Sequence, residues 1–585
     1  MAREQEIGSI LLADCGTVMT KAVLLDRVGG QYRFVAQGRA LTTAHGPWND
    51  VSVGIRHAVE EITEITGRTF FDGTGRLVFN GAAENRAGDT FTATVSASEP
   101  LQVMLGGLVQ DLSLSSAERA AAGTYSRVRG TVSSQDRGLL SDEDLVQRVR
   151  EVSPDVICIA GGVEGGAARP VLELVESAAL ACALMEPEVR PYMVYAGNSQ
   201  LRQRVVKIVG GRADLRVADN VRPTLETENL VGARSELEQL YLQDKMSRLP
   251  EIDAVEEWSP VELVPTARAF GRLVEYLWHL GDPSRGVLGV DLGAANTTLA
   301  AVFDERLSLT ISSDLGIAFG GRDLMDQQGS RVLSRWMPEE MTEEEMVALL
   351  VNKEIRPTAI PQVEREVWFE QALARAVIRE TRRVAEPGWR PAEAQPYPDL
   401  MPLCDTIVIS GGALTHAPRP GQIALVVLDA LEPIGVTTFV LDLQGLAPLF
   451  GSVAAVKPLA AVEALDTGGF TNLATVVTPV GRARRGDTVL RVRMQYEDES
   501  SLSVEVHYGE LEVLPLPPDQ EAVLELRPSR NFDVGFGGPG KGGKRRVNGG
   551  LVGLVIDARG RPLRLDGDDE RRRTQMKRWL WDMGG

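Results

Sequence analysis

The strongest constraint on the fold is a strand-and-turn pattern that occurs twice in the chain. The apolar run at 10–13 ends in Asp14-Cys-Gly16, and the run at 287–290 ends in Asp291-Leu-Gly293. Hydroxyl residues and a second apolar run follow each copy. Because glycine permits a tight turn and the close approach of a ligand to the backbone, each copy suits a phosphate. Two copies, each opening half of a long chain, predict a duplicated nucleotide clamp.

The residue types in these turns suit a metal-bound phosphate. N–H groups and hydroxyls donate to phosphate oxygens, and a carboxylate orients hydrated Mg²⁺. Asp14 and Asp291 are therefore the candidate catalytic and Mg²⁺-binding carboxylates, although an aspartate at a strand end can also simply cap a turn. Lys21 is either a phosphate contact or a strand residue whose stem lies along the sheet. The candidate cofactor-binding residues of the two turns are Gly16, Thr17, Thr20, Lys21, Gly293, Asn296 and Thr297.

Further strands in the chain end in paired glycines. Gly161 and Gly162 follow the apolar run that begins at Asp155, and Gly411 and Gly412 follow the run that begins at Asp405. We predict that both pairs bind the cofactor, although the first pair can equally serve only to turn a strand tightly into a helix. Glu164 is the one acid in the first of these turns, and it is a candidate catalytic or metal-orienting residue.

The alternation of strands with helices predicts an α/β fold with a parallel or mixed sheet. Apolar residues at helical spacing predict one of these helices over about Val51–Thr66. After about residue 464 the pattern changes to short strands with alternating or β-branched residues. We therefore predict a first lobe with an inserted α/β segment over 1–285, a second lobe over 286–465 and a β-rich domain over 466–585.

Charge and composition exclude several classes of function. The net charge of −19 argues against general binding to nucleic acid or to an anionic membrane surface. No apolar run approaches the roughly 18 residues of a membrane span, and the first residues lack a signal-peptide pattern. The four cysteines are isolated and the five histidines are scattered, so neither set predicts a disulfide or a metal site. We expect a cytoplasmic protein.

The order of three glycine-terminated strands resembles a known superfamily. Asp14-x-Gly16, Asp291-x-Gly293 and Ser410-Gly-Gly412 are similar to the phosphate-1, phosphate-2 and adenosine elements of the actin, sugar-kinase and heat-shock-chaperone ATPases. The resemblance implies a two-lobed actin-like fold, built from duplicated ribonuclease-H-like halves that close over ATP and Mg²⁺. It also implies that Gly411 and Gly412 approach the adenosine.

A closer resemblance is to the glutamate mutase L family, also called MutL. The matching segments run in the family's order over about residues 8–465, and they include 14–21, 160–166, 195–198, 220–223, 291–298, 314–316, 409–414 and 442–446. The resemblance implies an ATP-binding, chaperone-like accessory protein that acts on a partner protein, namely a coenzyme-B12-dependent mutase or a similar enzyme. Whether the chain also forms a homo-oligomer stays open.

Both turns depart from the family's pattern. Val18 replaces a hydroxyl residue in the first turn, while Ala294, Asn296 and Thr298 replace a glycine, a threonine and an acid in the second. These changes favour nucleotide binding, with at most a weak ATPase, over fast hydrolysis. Two alternatives remain at this point: a small-molecule kinase of the same superfamily, and a non-hydrolysing actin-like scaffold or filament protein.

Overall fold

The computed structural model describes residues 7–78, 88–134, 142–389 and 397–584. The chain divides into two compact units. The first unit comprises Met1–Ala97, Asp253–Ser308 and Leu315–Gly585, and the second comprises Ser98–Ile252 and Leu309–Asp314.

The first unit opens with a five-stranded mixed sheet. Its strands are β1 (Ser9–Cys15), β2 (Met19–Val28), β3 (Gln31–Leu41), β4 (Thr90–Val95) and β10 (Val264–Pro265), in the order β3-β2-β1-β4-β10. Strand β2 runs antiparallel to β1 and β3, whereas β4 runs parallel to β1 and β10. Helix α1 (Val51–Thr66) packs on β1, β2 and β3.

Helix α1 forms where the helical spacing predicts it. Asp50 caps its first turn by accepting a hydrogen bond from the Ser52 N–H at 2.8 Å. Ile55, Val59 and Ile62 are fully buried on one face, as the period of 3.6 residues requires. Gly67 ends the helix in the left-handed conformation that favours glycine, with φ at 70°.

The second sheet repeats the order of the first. Its first five strands are β11 (Gly286–Leu292), β12 (Thr297–Phe303), β13 (Arg306–Ser312), β14 (Cys404–Ser410) and β15 (Gly435–Leu441), in the order β13-β12-β11-β14-β15. When the five strands of each set are numbered in chain order, both sets have the same order across the sheet: third, second, first, fourth and fifth. This is the duplicated ribonuclease-H-like order of the actin-like ATPase fold, and the predicted fold class is confirmed.

The eight-stranded sheet continues beyond these five strands. Strands β16 (Thr471–Thr478), β22 (Gly553–Asp557) and β19 (Leu511–Leu514) extend it from the edge of β15. The remaining strands, β17 (Thr488–Tyr496), β18 (Ser501–His507), β20 (Glu521–Pro528) and β21 (Gly543–Asn548), form a separate antiparallel sheet. Residues after 465 therefore contribute strands to both of these sheets, and they lie in the first unit.

Helices surround the eight-stranded sheet and connect it to the first one. Helix α8 (Thr266–Leu280) follows β10 directly and contacts β11 and β12. Phe270 of α8 packs so closely on β11 that a Cβ on Gly289 would lie 2.6 Å from its ring. The other helices of this unit are α7 (Ile252–Trp258), α9 (Gly321–Gln328), α10 (Arg331–Ser334), α11 (Glu343–Ile355), α12 (Glu364–Ala385), α13 (Gly412–Thr415), α14 (Pro420–Leu431), α15 (Phe450–Val456), α16 (Pro458–Ala464) and α17 (Asp569–Asp582).

A buried ionic network joins two of these helices to the C-terminal strands. Asp429 of α14 pairs with Arg375 of α12 at 2.8 Å and with Arg559 at 2.9 Å. Asp557, at the end of β22, pairs with Arg559 at 2.8 Å and with Arg561 at 2.7 Å. Because an unpaired charge is costly in such a place, these five side chains constrain one another strongly.

The second unit contains a five-stranded sheet in which every neighbouring pair is parallel. Its strands are β5 (Leu101–Gly107), β6 (Ser126–Ser133), β7 (Val156–Ile159), β8 (Tyr192–Tyr195) and β9 (Leu215–Val217), in the order β6-β5-β7-β8-β9. Its helices are α2 (Ser115–Ala121), α3 (Asp142–Val152), α4 (Arg169–Ala183), α5 (Arg202–Val209) and α6 (Val231–Asp244). Strands and helices thus alternate along this unit.

Candidate functional site

The two Asp-x-Gly turns have the same backbone geometry. The N–H of Gly16 donates to the carbonyl of Met19 at 3.1 Å, and that of Gly293 donates to the carbonyl of Asn296 at 2.9 Å. A Cβ on Gly16 would lie 2.7 Å from the Met19 oxygen, and one on Gly293 would lie 2.9 Å from the Asn296 oxygen. Both turns therefore need glycine for the close approach of the chain to itself.

Asp14 lies at the end of β1 and is almost fully buried. Its carboxylate accepts hydrogen bonds from the hydroxyls of Thr94 on β4, at 3.0 Å, and Thr266 at the start of α8, at 2.9 Å. Burial raises the pKa of Asp14, and the charge of Lys21 and the two hydroxyls oppose that rise. Thr94 and Thr266 hold the carboxylate, and the sequence analysis missed both.

Asp291 takes the corresponding place at the end of β11. Burial raises the pKa of Asp291 to about 6, and the negative charges of Asp14 and Asp442 add to the effect while Lys21 and Ser410 oppose it. The influence of Asp14 on Asp291 shows that the two turns bring their carboxylates into one electrostatic environment. A carboxyl group with such a pKa can exchange a proton near neutral pH.

Asp442 is a third carboxylate of this site that the sequence analysis did not select. It follows β15, and it accepts hydrogen bonds from the N–H groups of Leu446 and Ala447, both at 2.9 Å, and from the Ser410 hydroxyl at 3.2 Å. Burial raises the pKa of Asp442 despite these bonds and the charge of Lys21. The signal in the sequence was a strand ending in an aspartate with a glycine, Gly445, three residues later.

Lys21 provides the positive charge that these carboxylates share. It lies directly opposite Asp14 in the pairing of β1 with β2. Its positive charge acts to lower the pKa of Asp14, Asp291 and Asp442, against the larger effect of burial, which raises all three. A Cβ added to Gly445 would lie 3.6 Å from the Lys21 amine. The charge of one ammonium group therefore acts on three carboxylates, whose summed negative charge exceeds it when all three are ionised.

The hydroxyl residues of the turns divide into buried and accessible groups. The Thr20 hydroxyl is fully buried and bonded to that of Thr42 at 3.0 Å, and the equally buried Thr297 donates to the Leu315 carbonyl at 2.8 Å. Thr17 and Asn296 are half-buried, and the Thr17 hydroxyl donates to the Ser96 carbonyl at 3.2 Å. The structure thus gives Thr20 and Thr297 positions that support the turns from within.

Gly411 and Gly412 follow β14 and lie beside the second turn. Gly411 has φ at 101°, and a Cβ there would lie 2.2 Å from the Leu292 carbonyl oxygen. A Cβ on Gly412 would meet nothing within 4 Å. Gly411 is therefore required by the close approach of β14 to the second turn, whereas Gly412 adjoins open space.

Gly161, Gly162 and Glu164 belong to the second unit, whereas the residues described so far belong to the first. The Glu164 carboxylate accepts hydrogen bonds from the Ser199 N–H at 3.2 Å and from the Asn220 amide at 2.8 Å. Burial acts to raise the pKa of Glu164, but the hydrogen bonds from Ser199 and Asn220 outweigh it and lower the pKa. Glu164 is thus engaged in holding two loops of its own unit together.

The described residues contain no group of three or more His, Cys, Asp or Glu side chains able to hold a metal ion by themselves. The four cysteines are buried and unpaired. Among the same residues, every helix is too short or too polar to cross a membrane.

The raised pKa of Asp291 predicts a pH-dependent effect on stability. Because the folded state favours the protonated carboxyl, this group stabilises the fold below its unfolded pKa of 3.8, and the contribution is lost as pH rises through about 6. Without nucleotide, Asp291→Asn should nearly match the wild type at about pH 4 and be more stable by about 2–3 kcal/mol at about pH 7. Urea unfolding across this range measures the difference. A constant difference between Asp291→Asn and the wild type across this range would contradict the prediction.

Comparisons with known proteins identify relatives of the chain. The family model described as "MutL protein" matches residues 10–468. "Protein MutL" of Clostridium tetanomorphum is 25% identical over 441 residues, which cover 71% of this chain and 87% of that protein.

Solved structures also match the chain, at low similarity. A nucleotide-free acetone carboxylase has 10% identity and a TM-score of 0.31, covering 85% of this chain and 81% of its own. A xylulose kinase from Bifidobacterium adolescentis has 12% identity and a TM-score of 0.26, and the match covers 74% of this chain and 90% of the kinase. The match to the family model spans most of the sequence. The chain belongs to the MutL family.

Proposed function

We propose that the first unit binds ATP with Mg²⁺ at the site formed by Asp14, Lys21 and Asp291. The observation that carries the proposal is the pair of matching turns, whose carboxylates share one environment with a single lysine. Backbone N–H groups of the two turns and the Lys21 ammonium would hold phosphate oxygens. Gly412 would lie next to the adenosine, where a side chain would obstruct it.

The charges at the site suit a divalent cation bound together with a nucleotide. Burial already disfavours ionisation of Asp14, Asp291 and Asp442, and a phosphate chain without a cation would add further negative charge. Mg²⁺ keeps several water ligands and is often bound through one or two carboxylates together with substrate phosphates. Asp14 and Asp291 would orient those waters.

Asp291 is the residue best placed to assist hydrolysis in this proposal. With a pKa of about 6, its carboxylate could accept a proton from an attacking water near neutral pH. Val18 lacks a hydroxyl of the family's pattern and Thr298 lacks a carboxylate of it, so the expected turnover is slow. Nucleotide binding would then favour one conformation of the protein by its differential affinity for that conformation.

The proposed partner is a coenzyme-B12-dependent mutase or a similar enzyme. Membership of the MutL family supports an accessory, chaperone-like role of this kind. The test is isothermal calorimetry with ATP, with and without Mg²⁺, followed by measurement of phosphate release with and without a glutamate mutase. Phosphate release that rises only with the mutase would support the proposal. Turnover with a sugar or an acid alone would indicate a kinase, and a lack of affinity for ATP would indicate a scaffold.

The adjacent glycines Gly411 and Gly412 offer a matched pair of variants. Gly412→Ala should weaken ATP binding about tenfold or more, because its methyl group enters the space proposed for adenosine, while the stability of the fold stays within about 0.5 kcal/mol. Gly411→Ala should instead destabilise the fold, because its Cβ would collide with Leu292. Calorimetry and urea unfolding separate the two effects. Unchanged ATP affinity in Gly412→Ala would remove this glycine from the proposed site.

A further inference from the structure

The strand order of the second unit marks a place where parallel sheets commonly bind ligands. Numbered in chain order, its strands lie in the order second, first, third, fourth and fifth, which is β6-β5-β7-β8-β9. The direction of this order reverses between β5 and β7. In doubly wound sheets, ligands bind outside the carboxyl ends of the strands at this reversal, because the two connecting loops leave toward opposite faces. Here those loops lead from β5 to α2 and from β7 to α4.

An irregular segment, residues 221–230, connects the two sides of this reversal, and we call it the strap. On the β7 side, the Glu164 N–H donates to the Pro223 carbonyl at 2.9 Å. On the β5 side, the Arg222 guanidinium donates to the hydroxyl of Ser116, in α2, at 3.0 Å. The strap therefore bridges the two loops between which a ligand would lie.

A carboxylate of the strap occupies a cradle suited to an oxyanion. The Glu228 carboxylate accepts hydrogen bonds from the Ser116 hydroxyl at 2.6 Å and from the Arg119 Nε at 3.2 Å, with a further bond from the other end of that guanidinium. Arg222 approaches the same carboxylate to 3.4 Å. A hydroxyl and two guanidiniums that converge on one carboxylate form the donor set that proteins use for phosphate and carboxylate groups.

The charges around this cradle are unbalanced. A third guanidinium, that of Arg234, donates to the Arg119 carbonyl at 3.3 Å and is influenced by the charges of both Glu228 and Arg119. Burial acts to raise the pKa of Glu228, but Arg119, Ser116 and Arg222 outweigh it and lower the pKa. The cradle therefore favours an anion strongly, and a ligand of higher charge than one carboxylate would balance the three arginines better.

We propose that this edge of the second unit is a binding site for a small molecule carrying a phosphate or carboxylate group. Glu228 stands where that group binds, and the strap covers the site until the ligand displaces Glu228. All of its residues belong to the second unit, whereas the residues of the proposed nucleotide site belong to the first. The geometry of Ser116, Arg119 and Arg222 supplies recognition of the anion.

The test compares Glu228→Gln with the wild type and with Glu226→Gln, which changes an exposed acid of the same strap. Inorganic phosphate and succinate serve as probes, with affinity measured by calorimetry and opening of the strap by hydrogen exchange at residues 221–230. In the wild type the Glu228 carboxylate competes with the probe for the cradle and so reduces the apparent affinity. Glu228→Gln should therefore bind one probe at least about tenfold more tightly than either control protein. The probe that responds distinguishes phosphate from carboxylate recognition.

A second substitution shows whether the gain comes from the cradle. Arg222→Gln added to Glu228→Gln should abolish the gain, while any phosphate binding at the turns of the first unit persists. If Glu228→Gln does not fold, Glu228→Asp replaces it, since the shorter side chain keeps the charge but loses reach. Equal affinity of the variant and the wild type for both probes, or a gain that survives Arg222→Gln, would overturn the proposal.

Discussion

Asp14→Asn is expected to weaken the binding of ATP in the presence of Mg²⁺ by about 10- to 100-fold. The variant removes the charge that would hold the hydrated cation, and a charge-assisted hydrogen bond contributes about 1.5–3 kcal/mol. Asparagine keeps an oxygen that can accept from the hydroxyls of Thr94 and Thr266, so the turn should persist. Calorimetry with and without Mg²⁺ measures the effect, and the loss should be largest when Mg²⁺ is present.

The control for this experiment is Asp399→Asn, which makes the same chemical change at an exposed position of the same unit. Its affinity for ATP should match that of the wild type. Urea unfolding of Asp14→Asn should show a cooperative transition close to the wild type, which separates loss of binding from loss of fold. If Asp14→Asn binds ATP and Mg²⁺ as well as the wild type, the first turn does not bind the metal-phosphate group.

Asp557→Asn is expected to destabilise the protein by about 3–5 kcal/mol. The carboxylate is fully buried and pairs with Arg559 and Arg561, so its removal takes away the carboxylate that Arg561 pairs with and one of the two that Arg559 pairs with. The substitution should also weaken the ion pair between Arg559 and Asp429, because Arg559 belongs to both pairs. Urea unfolding, followed by circular dichroism, gives the change in the midpoint and in the slope of the transition.

An exposed ion pair provides the matched control. Glu505→Gln breaks the pair with Arg491 at 2.7 Å on the surface, and it should cost less than about 1 kcal/mol. Burial acts to raise the pKa of Asp557, but Arg559 and Arg561 outweigh it and lower the pKa, so its stabilising effect is present above the unfolded carboxyl pKa and is lost in acid. The variant should therefore lose less stability than the wild type below about pH 4. Equal costs for the two substitutions at neutral pH would contradict this account.

The sequence predicted the parts of the fold that local patterns determine. Helix α1 could be predicted because its cap, its apolar spacing and its final glycine all agree. The two turns could be predicted because Asp-x-Gly after a buried strand permits few conformations, and their shared strand order followed from the superfamily resemblance. The pairing of β16 with β15 could not be predicted, because the alternating residues of a strand do not reveal which sheet edge the strand joins.

Within the candidate site, the sequence patterns indicate the two Asp-x-Gly turns but not the side chains that surround them. Thr94 and Thr266 lie 80 and 252 residues from Asp14, and nothing near them in the sequence indicates that their hydroxyls meet its carboxylate. Asp442 was missed because its turn has a different spacing from the other two. Thr20 and Thr297 were selected by type and position, but residue type alone does not show that a hydroxyl faces the interior of a sheet.

The continuation of the eight-stranded sheet determines which strand edge the fold leaves open. The region that matches the MutL family ends at residue 468, and strand β16 begins three residues later, at Thr471. A chain that ended there would leave β15 with a row of unpaired backbone N–H and C=O groups, and such an open edge recruits strands from other molecules. The C-terminal segment therefore shields that edge, and it would protect the protein from aggregation even if it took no part in binding nucleotide or partner.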